Sequence, residues 1–319
     1  MATPVTRRCN RTGCSGRRPI GTPGDATDLV DWRGRAFHVI RHPAVSASLA
    51  EFRSSSEAGT LQFFDAVLPD CDKMIDVGAH VGLMSLYAAN CVTDICAFEA
   101  SPTNFDLLTR NVMANDAMRD RIRLFRFGLG DRDERVALYR KGHADSGASI
   151  FRTVERDGFV RGTLEATVEL RDARAVLRDI GLTSRSLLKI DIEGAEYLVV
   201  PALADMLAET RPYLHLSFHP FNLVASDDEY LNTVTRIRRA MQMAEALASY
   251  RYMYCYTQDQ WYCIEAADRM IFLREYLLHR KPVARVGSPQ YGFVGAIGFA
   301  DVKLPELDGP GPTTPPATG

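Results

Sequence analysis

Residues 73–82 read Lys73-Met74-Ile75-Asp76-Val77-Gly78-Ala79-His80-Val81-Gly82. Met74, Ile75 and Val77 form a short apolar run suited to a parallel strand buried on both faces. Gly78 and Gly82 follow, and then an apolar segment, 83–89, of helical character. Strand, glycine turn and helix make a ligand-binding geometry. Glycine lets backbone come close to a ligand, and a helix start offers unpaired N–H groups.

The next apolar run, Ile95-Cys96-Ala97-Phe98-Glu99, ends in an acid 21 residues after Gly78. An acid about 20 residues on, at the tip of the next strand, reaches a ribose diol. A dinucleotide site of the G-x-G-x-x-G type would need glycine where His80 stands. The pattern present, Asp76-x-Gly78-x-x-x-Gly82, resembles the first motif of class I S-adenosylmethionine-dependent methyltransferases. With Glu99 it points to an adenosine-type ligand. A βαβ unit whose glycines serve packing alone is the alternative.

The 319 residues are 46% hydrophobic and 24% charged, an ordinary globular composition. One domain is expected over 28–304, with tails at 1–27 and 305–319. The formal net charge of −2 gives no bulk reason to expect nucleic acid. The 7 cysteines are odd in number and scattered, without C-x-x-C, which speaks against a disulfide framework or structural zinc. No apolar run approaches the roughly 18 residues of a membrane span. A soluble, cytoplasmic protein is expected.

Before Asp25 the chain carries Arg7, Arg8, Arg11, Arg17 and Arg18 among glycine, proline and threonine, the composition of a disordered basic tail. Residues 36–40 read as a strand, and 57–68 as a helix through Leu61, Phe64 and Leu68. Ser101-Pro102 opens a helix with a capping serine, and Asn115 is placed to stop it. Residues 122–127 suit a strand nearer the sheet edge. Short strand-like pieces at 136–139, 148–151 and 167–170 lie in an irregular insertion around 131–170, which also carries His143. Helices are expected over 172–180, closed by Gly181, from the 191–196 segment to about 208, and over 227–248 and 268–279. Strands are expected at 187–190 and 213–218, and a hairpin at 252–256 and 261–264. Strands thus alternate with helices until the hairpin. That is an α/β fold with an open, mostly parallel sheet, helices on both faces and a C-terminal antiparallel hairpin.

The segments 76–86, 98–115, 128–131 and 187–200, in this order, resemble the FkbM family of methyltransferases. The most specific piece is Lys189-Ile190-Asp191-Ile192-Glu193-Gly194-Ala195-Glu196. The resemblance implies a seven-stranded sheet and S-adenosyl-L-methionine as cofactor. It also implies methyl transfer to a hydroxyl of a small molecule, natural product or sugar. It places cofactor contacts at Asp76, Gly78, Ala79, His80 (through its backbone N–H), Gly82, Glu99, Ala100, Asn104, Gly128, Leu129 and Asp191. Ser217 stands where family members commonly carry an acid, which leaves His219 at that strand's end.

The chemistry narrows the acceptor side. Methyl transfer from a sulfonium needs the methyl held against the nucleophile and a base for the hydroxyl proton. Ligands of open α/β sheets sit beyond the carboxyl ends of the strands. Asp76, Glu99, Asp131, Asp191, Glu193 and His219 are expected there. His219 is the expected base, with Asp191 and Glu193 as its partners or as caps of the following helix. These three could also hold a metal, but no spacing demands one and none is assigned. Two other readings compete, a non-catalytic binding protein on the same fold and a nicotinamide oxidoreductase.

Overall fold

The computed structural model describes residues 25–140, 147–151, 162–219, 223, 229–257, 260–264, 269 and 294–307. The basic segment 1–24, His143, Ser226, expected with Glu229 to cap the helix over 227–248, and, apart from Arg269, the helix expected over 268–279 lie outside them.

Residues 73–77 form the central strand of the five parallel strands in the main sheet. β3 (Lys73–Val77) pairs in parallel with β4 (Ile95–Phe98) on one side and β9 (Ser186–Ile190) on the other. β5 (Ile122–Phe125) extends the sheet beyond β4, and β10 (Tyr213–Leu216) beyond β9, both in parallel. Side chains alternate between two cores. Met74, Ile95, Ala97 and Leu187 face one, which receives Leu61 and Phe64 of α2 (Ser55–Val67), Leu86 of α3 (Leu83–Ala88) and Leu108 of α4 (Pro102–Met113). Ile75, Val77, Cys96, Phe98 and Leu188 face the other. That core is closed by α5 (Ala173–Ile180), α6 (Glu196–Ala202), α7 (Ala204–Thr210) and α8 (Glu229–Ala246).

The expected architecture is present, with one strand more than seven. β13 (Val294–Ala300) lies antiparallel to β10 and separates it from the hairpin β11 (Tyr252–Thr257) and β12 (Gln260–Ile264). Its sequence, rich in glycine and alanine, carries little strand signal. Gly298 is needed there because Phe63 of α2 lies directly over it.

Three further differences have local causes. Ahead of the sheet, β1 (Thr27–Trp32) and β2 (Arg35–Ile40) form a hairpin, and α1 (Pro43–Phe52) follows. The hairpin turns on Arg33 and Gly34, both at positive φ. Asn115 does not take a left-handed stop. Its amide brackets β2, accepting from the His38 N–H at 2.7 Å and donating to the His38 carbonyl at 2.8 Å. The insertion is more regular than expected. β7 (Glu134–Arg140) and a long β8 (Thr163–Asp172) pair antiparallel, and β6 (Gly128–Gly130) joins β8. Residues 148–151 contribute only a bridge from Ser149 to Tyr139. At the far end, Pro305–Leu307 forms a short helical turn that buries Leu307. No helix among the described residues is long and apolar enough to cross a membrane.

Candidate functional site

The turn after β3 is held open by two networks. Beneath it, Asp76 is fully buried and accepts from Ser85 Oγ at 2.6 Å and from Lys189 Nζ at 3.0 Å. Lys189 sits opposite Asp76 in the β3–β9 register and also donates to the Gly78 carbonyl at 3.0 Å. Burial disfavours the ammonium, but Asp76 and Asp191 outweigh it and hold its pKa above the ordinary value. Above the turn, Glu99 binds with both oxygens. It accepts from the His80 N–H at 2.8 Å and from the Ser101 N–H at 2.7 Å. Burial pushes its pKa up to about 7 against these two hydrogen bonds.

Gly78, His80 and Gly82 all have positive φ. The two glycines are required by different neighbours. A side chain at Gly78 would run into the Asp191 carbonyl, whereas one at Gly82 would meet only the end of the Leu108 side chain, at 2.5 Å.

A cleft opens beyond the carboxyl ends of β3, β4 and β9, between them and the β6–β8–β7 sheet. It holds about 600 Å³ of empty space, counting the part open to solvent. Gly78, His80, Glu99, Ala100, Asn104, Gly128, Leu129, Asp191 and Glu193, all expected site residues, line it together. Four do not. Asp76 lies beneath the turn, Ala79 is buried with its N–H on the Phe98 carbonyl, Gly82 faces Leu108, and His219 stands behind Asp191 and Glu193. Asp131 is also outside, beside Arg132. The insertion supplies an apolar wall of Leu138, Ala148, Ile150 and Leu170 that the sequence reading left without a code.

Asp191 and Glu193 share a short loop after β9. Glu193 takes φ +52° and Gly194 φ +104°. Ser149 of the insertion donates to the Glu193 carbonyl at 2.6 Å and ties the wall to this loop. His219 follows β10 and is buried. Its Nε2 is 3.5 Å from Glu193 Oε1 and 3.8 Å from Asp191 Oδ1. Glu196, fully buried at the start of α6, lies 3.1 Å from Nδ1 and accepts the His219 backbone N–H at 2.6 Å. Burial pulls the imidazole down, but Glu196, then Asp191 and Glu193, push it up to about 9. Burial raises the Asp191 carboxyl, and Lys189 and His219 more than offset that. Ser217 hydrogen-bonds Asp191, so the position without its acid still supports this carboxylate.

Sequence alone assigns no separate role to Lys189, Glu196 or Ser149. A signal existed for Lys189, a lone cation inside a buried strand that must find an anion. Glu196 acts on His219, 23 residues away, and Ser149 on the Glu193 carbonyl, 44 residues away, and neither pairing leaves a local signal.

A sequence profile described as the methyltransferase FkbM domain matches residues 76–251. Among curated proteins, the chain is 31% identical over 165 residues to "Methyltransferase sdnD" of Sordaria araneosa. It is 26% identical over 155 residues to "Methyltransferase 1" of Beauveria bassiana (strain ARSEF 2860). These matches cover 42% and 44% of this chain and 61% of each relative. Among solved structures, a methyltransferase FkbM from Methylobacillus flagellatus KT is similar at a TM-score of 0.37 and 16% identity, over 72% of this chain and 44% of that one. The profile takes in more than half of the 319 residues, Asp76 and His219 included, and the chain belongs to the FkbM methyltransferase domain family.

Proposed function

We propose that the protein transfers a methyl group from S-adenosyl-L-methionine to a hydroxyl of a small molecule, natural product or sugar. The observation that carries this reading is the convergence on one cleft of the glycine turn and Glu99 from one side and of Asp191 and Glu193 from the other. The cleft fits such a cofactor. Val77, Phe98 and Leu129 offer an apolar surface for a base, and Glu99 presents a carboxylate beside it for a ribose diol. When bound, the cofactor supplies a methyl group on a positively charged sulfur.

The chain's own residues supply position and proton transfer. Asp191 and Glu193 face the cleft and can accept the acceptor's hydroxyl hydrogen, orient its oxygen and take up the proton. His219, expected as the direct base, stands behind them and is held by Glu196. It serves better as the group that positions the two carboxylates and stabilises their charge. The apolar wall from the insertion excludes water and selects the acceptor. The nicotinamide reading finds no support, since His80 occupies the place of the needed glycine.

Isothermal titration with S-adenosylmethionine, followed by a labelled-methyl screen of hydroxylated metabolites, tests the proposal. Glu99→Ala should weaken cofactor binding by about 1–3 kcal/mol, the scale of a lost charged hydrogen bond. Unchanged affinity in a folded variant would remove Glu99 from the site. Failure of the wild-type protein to bind the cofactor would remove the function.

A further inference from the structure

We propose that Asp191, Glu193 and His219 form a site for one divalent first-row cation, of the Mn²⁺ or Co²⁺ kind, at the edge of the cleft. One ligand atom from each residue lies within 4.8 Å of the other two. The 3.5 and 3.8 Å between His219 Nε2 and the two carboxylates are spacings of ligands around an ion. Donors bound at about 2.1 Å to a common metal stand roughly 3–4 Å apart. Two carboxylates with one imidazole are a mixed oxygen and nitrogen set, which suits such cations better than calcium, an all-oxygen ion.

The surroundings of His219 point independently to a ligand. A metal-binding histidine characteristically donates its other ring N–H to a carboxylate, which sets the tautomer and aims the ring. Glu196 occupies that place at Nδ1 and is itself held by the backbone N–H groups of His219 and Gly194. Nε2 is thereby turned toward Asp191 and Glu193. Charge agrees. Three carboxylates, Asp191, Glu193 and Glu196, surround one imidazole, and the nearby ammonium of Lys189 is bonded to Asp76. A dication brings the net charge of the three carboxylates from −3 to −1.

The consequence for catalysis rests on the reading that the cleft holds a methyl acceptor. Since Asp191 and Glu193 line the cleft, a cation between them and His219 would bind the acceptor oxygen and lower the pKa of its hydroxyl.

Chelator-stripped full-length protein titrated with Mn²⁺ alone, followed by electron paramagnetic resonance and calorimetry, should show one saturable site. Asp191→Asn and Glu193→Gln, checked for folding by circular dichroism, should abolish it. Glu196→Gln should weaken it by about 10–100-fold, as loss of an outer-shell partner does. Co²⁺ should give d–d absorption bands that change in His219→Asn. Absence of saturable Mn²⁺ or Co²⁺ binding by folded wild-type protein overturns the site. So does binding unaffected by both Glu193→Gln and His219→Asn. Titration of the same samples with S-adenosylhomocysteine keeps the two readings apart. Cofactor binding without cation binding removes only the cation site, and cation binding without cofactor binding removes only the methyl-transfer reading.

Discussion

Gly78 shows how one atom's place can carry two meanings. Read from sequence, it is the residue that lets a cofactor approach, and a larger residue should block binding while the fold survives. In the structure the first thing a Cβ meets there is the protein's own Asp191 carbonyl, at a φ of +82°. The Asp191 backbone, tied to β3 by its N–H on the Val77 carbonyl at 3.0 Å, cannot easily step aside, whereas the Leu108 side chain opposite Gly82 can. Gly78→Ala should therefore destabilise the protein by about 3 kcal/mol or more, and Gly82→Ala by about 1–2 kcal/mol, as read from urea midpoints. Equal midpoints would contradict the distinction. Lys189 has a comparable structural duty. Lys189→Met leaves Asp76 buried without its cation and should cost about 3–5 kcal/mol. The double variant Lys189→Met/Asp76→Leu should recover much of that, because the uncompensated charge leaves with Asp76. A double variant no more stable than the single one would show that the pair does not act as a unit.

At the scale of elements, α2 and β13 are made for each other. Phe63 lies over Gly298, and Tyr256 of β11 lies over Gly59 of the helix, where a Cβ would come within 2.5 Å of the ring. Two absent side chains let a helix carrying large aromatic residues lie flat on the sheet. Gly298→Val should overpack this contact and destabilise by about 1–3 kcal/mol. Adding Phe63→Ala should partly restore stability relative to Gly298→Val alone. A further loss would show that the ring is not what the valine strikes. The same helix brings Glu57 near Asp191, and burial with that carboxylate raises its pKa to about 7.

Across the whole molecule, buried titratable groups set opposite pH slopes. His215 lies among Phe63 and Phe64, with ring centroids 6.0 and 5.8 Å away, and neither ring nitrogen has a hydrogen-bond partner among the described residues. Burial, and then Lys189, push its pKa from 6.5 down to about 3. The folded state keeps it neutral, so its contribution is complete above 6.5 and is lost as pH falls toward 3. The slope is about 1.4 kcal/mol per pH unit. Glu99 acts the other way. Its folded pKa of about 7 against an ordinary 4.5 means that stability rises as pH falls across that interval. The two offset each other between about 6.5 and 4.5, and His215 acts unopposed by Glu99 below that. His215→Leu, compared with wild type in urea melts from pH 7 to pH 3, should gain relative stability steadily as pH falls. A constant difference between the two would mean that His215 titrates alike in folded and unfolded chains.

What the sequence determined by itself was whatever a few consecutive residues can settle. The β3 strand and its glycine turn, the Ser101-Pro102 helix start, the Gly181 stop and the acid at the tip of β4 are each local, so their physics is complete within one turn or strand. The alternation of such units implied the open parallel sheet and, with it, the side on which the cleft lies. The tertiary structure alone decided the rest. It set β13 between β10 and the hairpin, paired Asp76 with Lys189, made the Asp191 carbonyl the reason for Gly78, and turned His219 behind Asp191 and Glu193 by means of Glu196. Asp76 and Lys189 are 113 residues apart, and His219 and Glu196 are 23 apart. The partners in these contacts are chosen by packing and by the need to satisfy buried charge, and neither leaves a pattern in neighbouring residues.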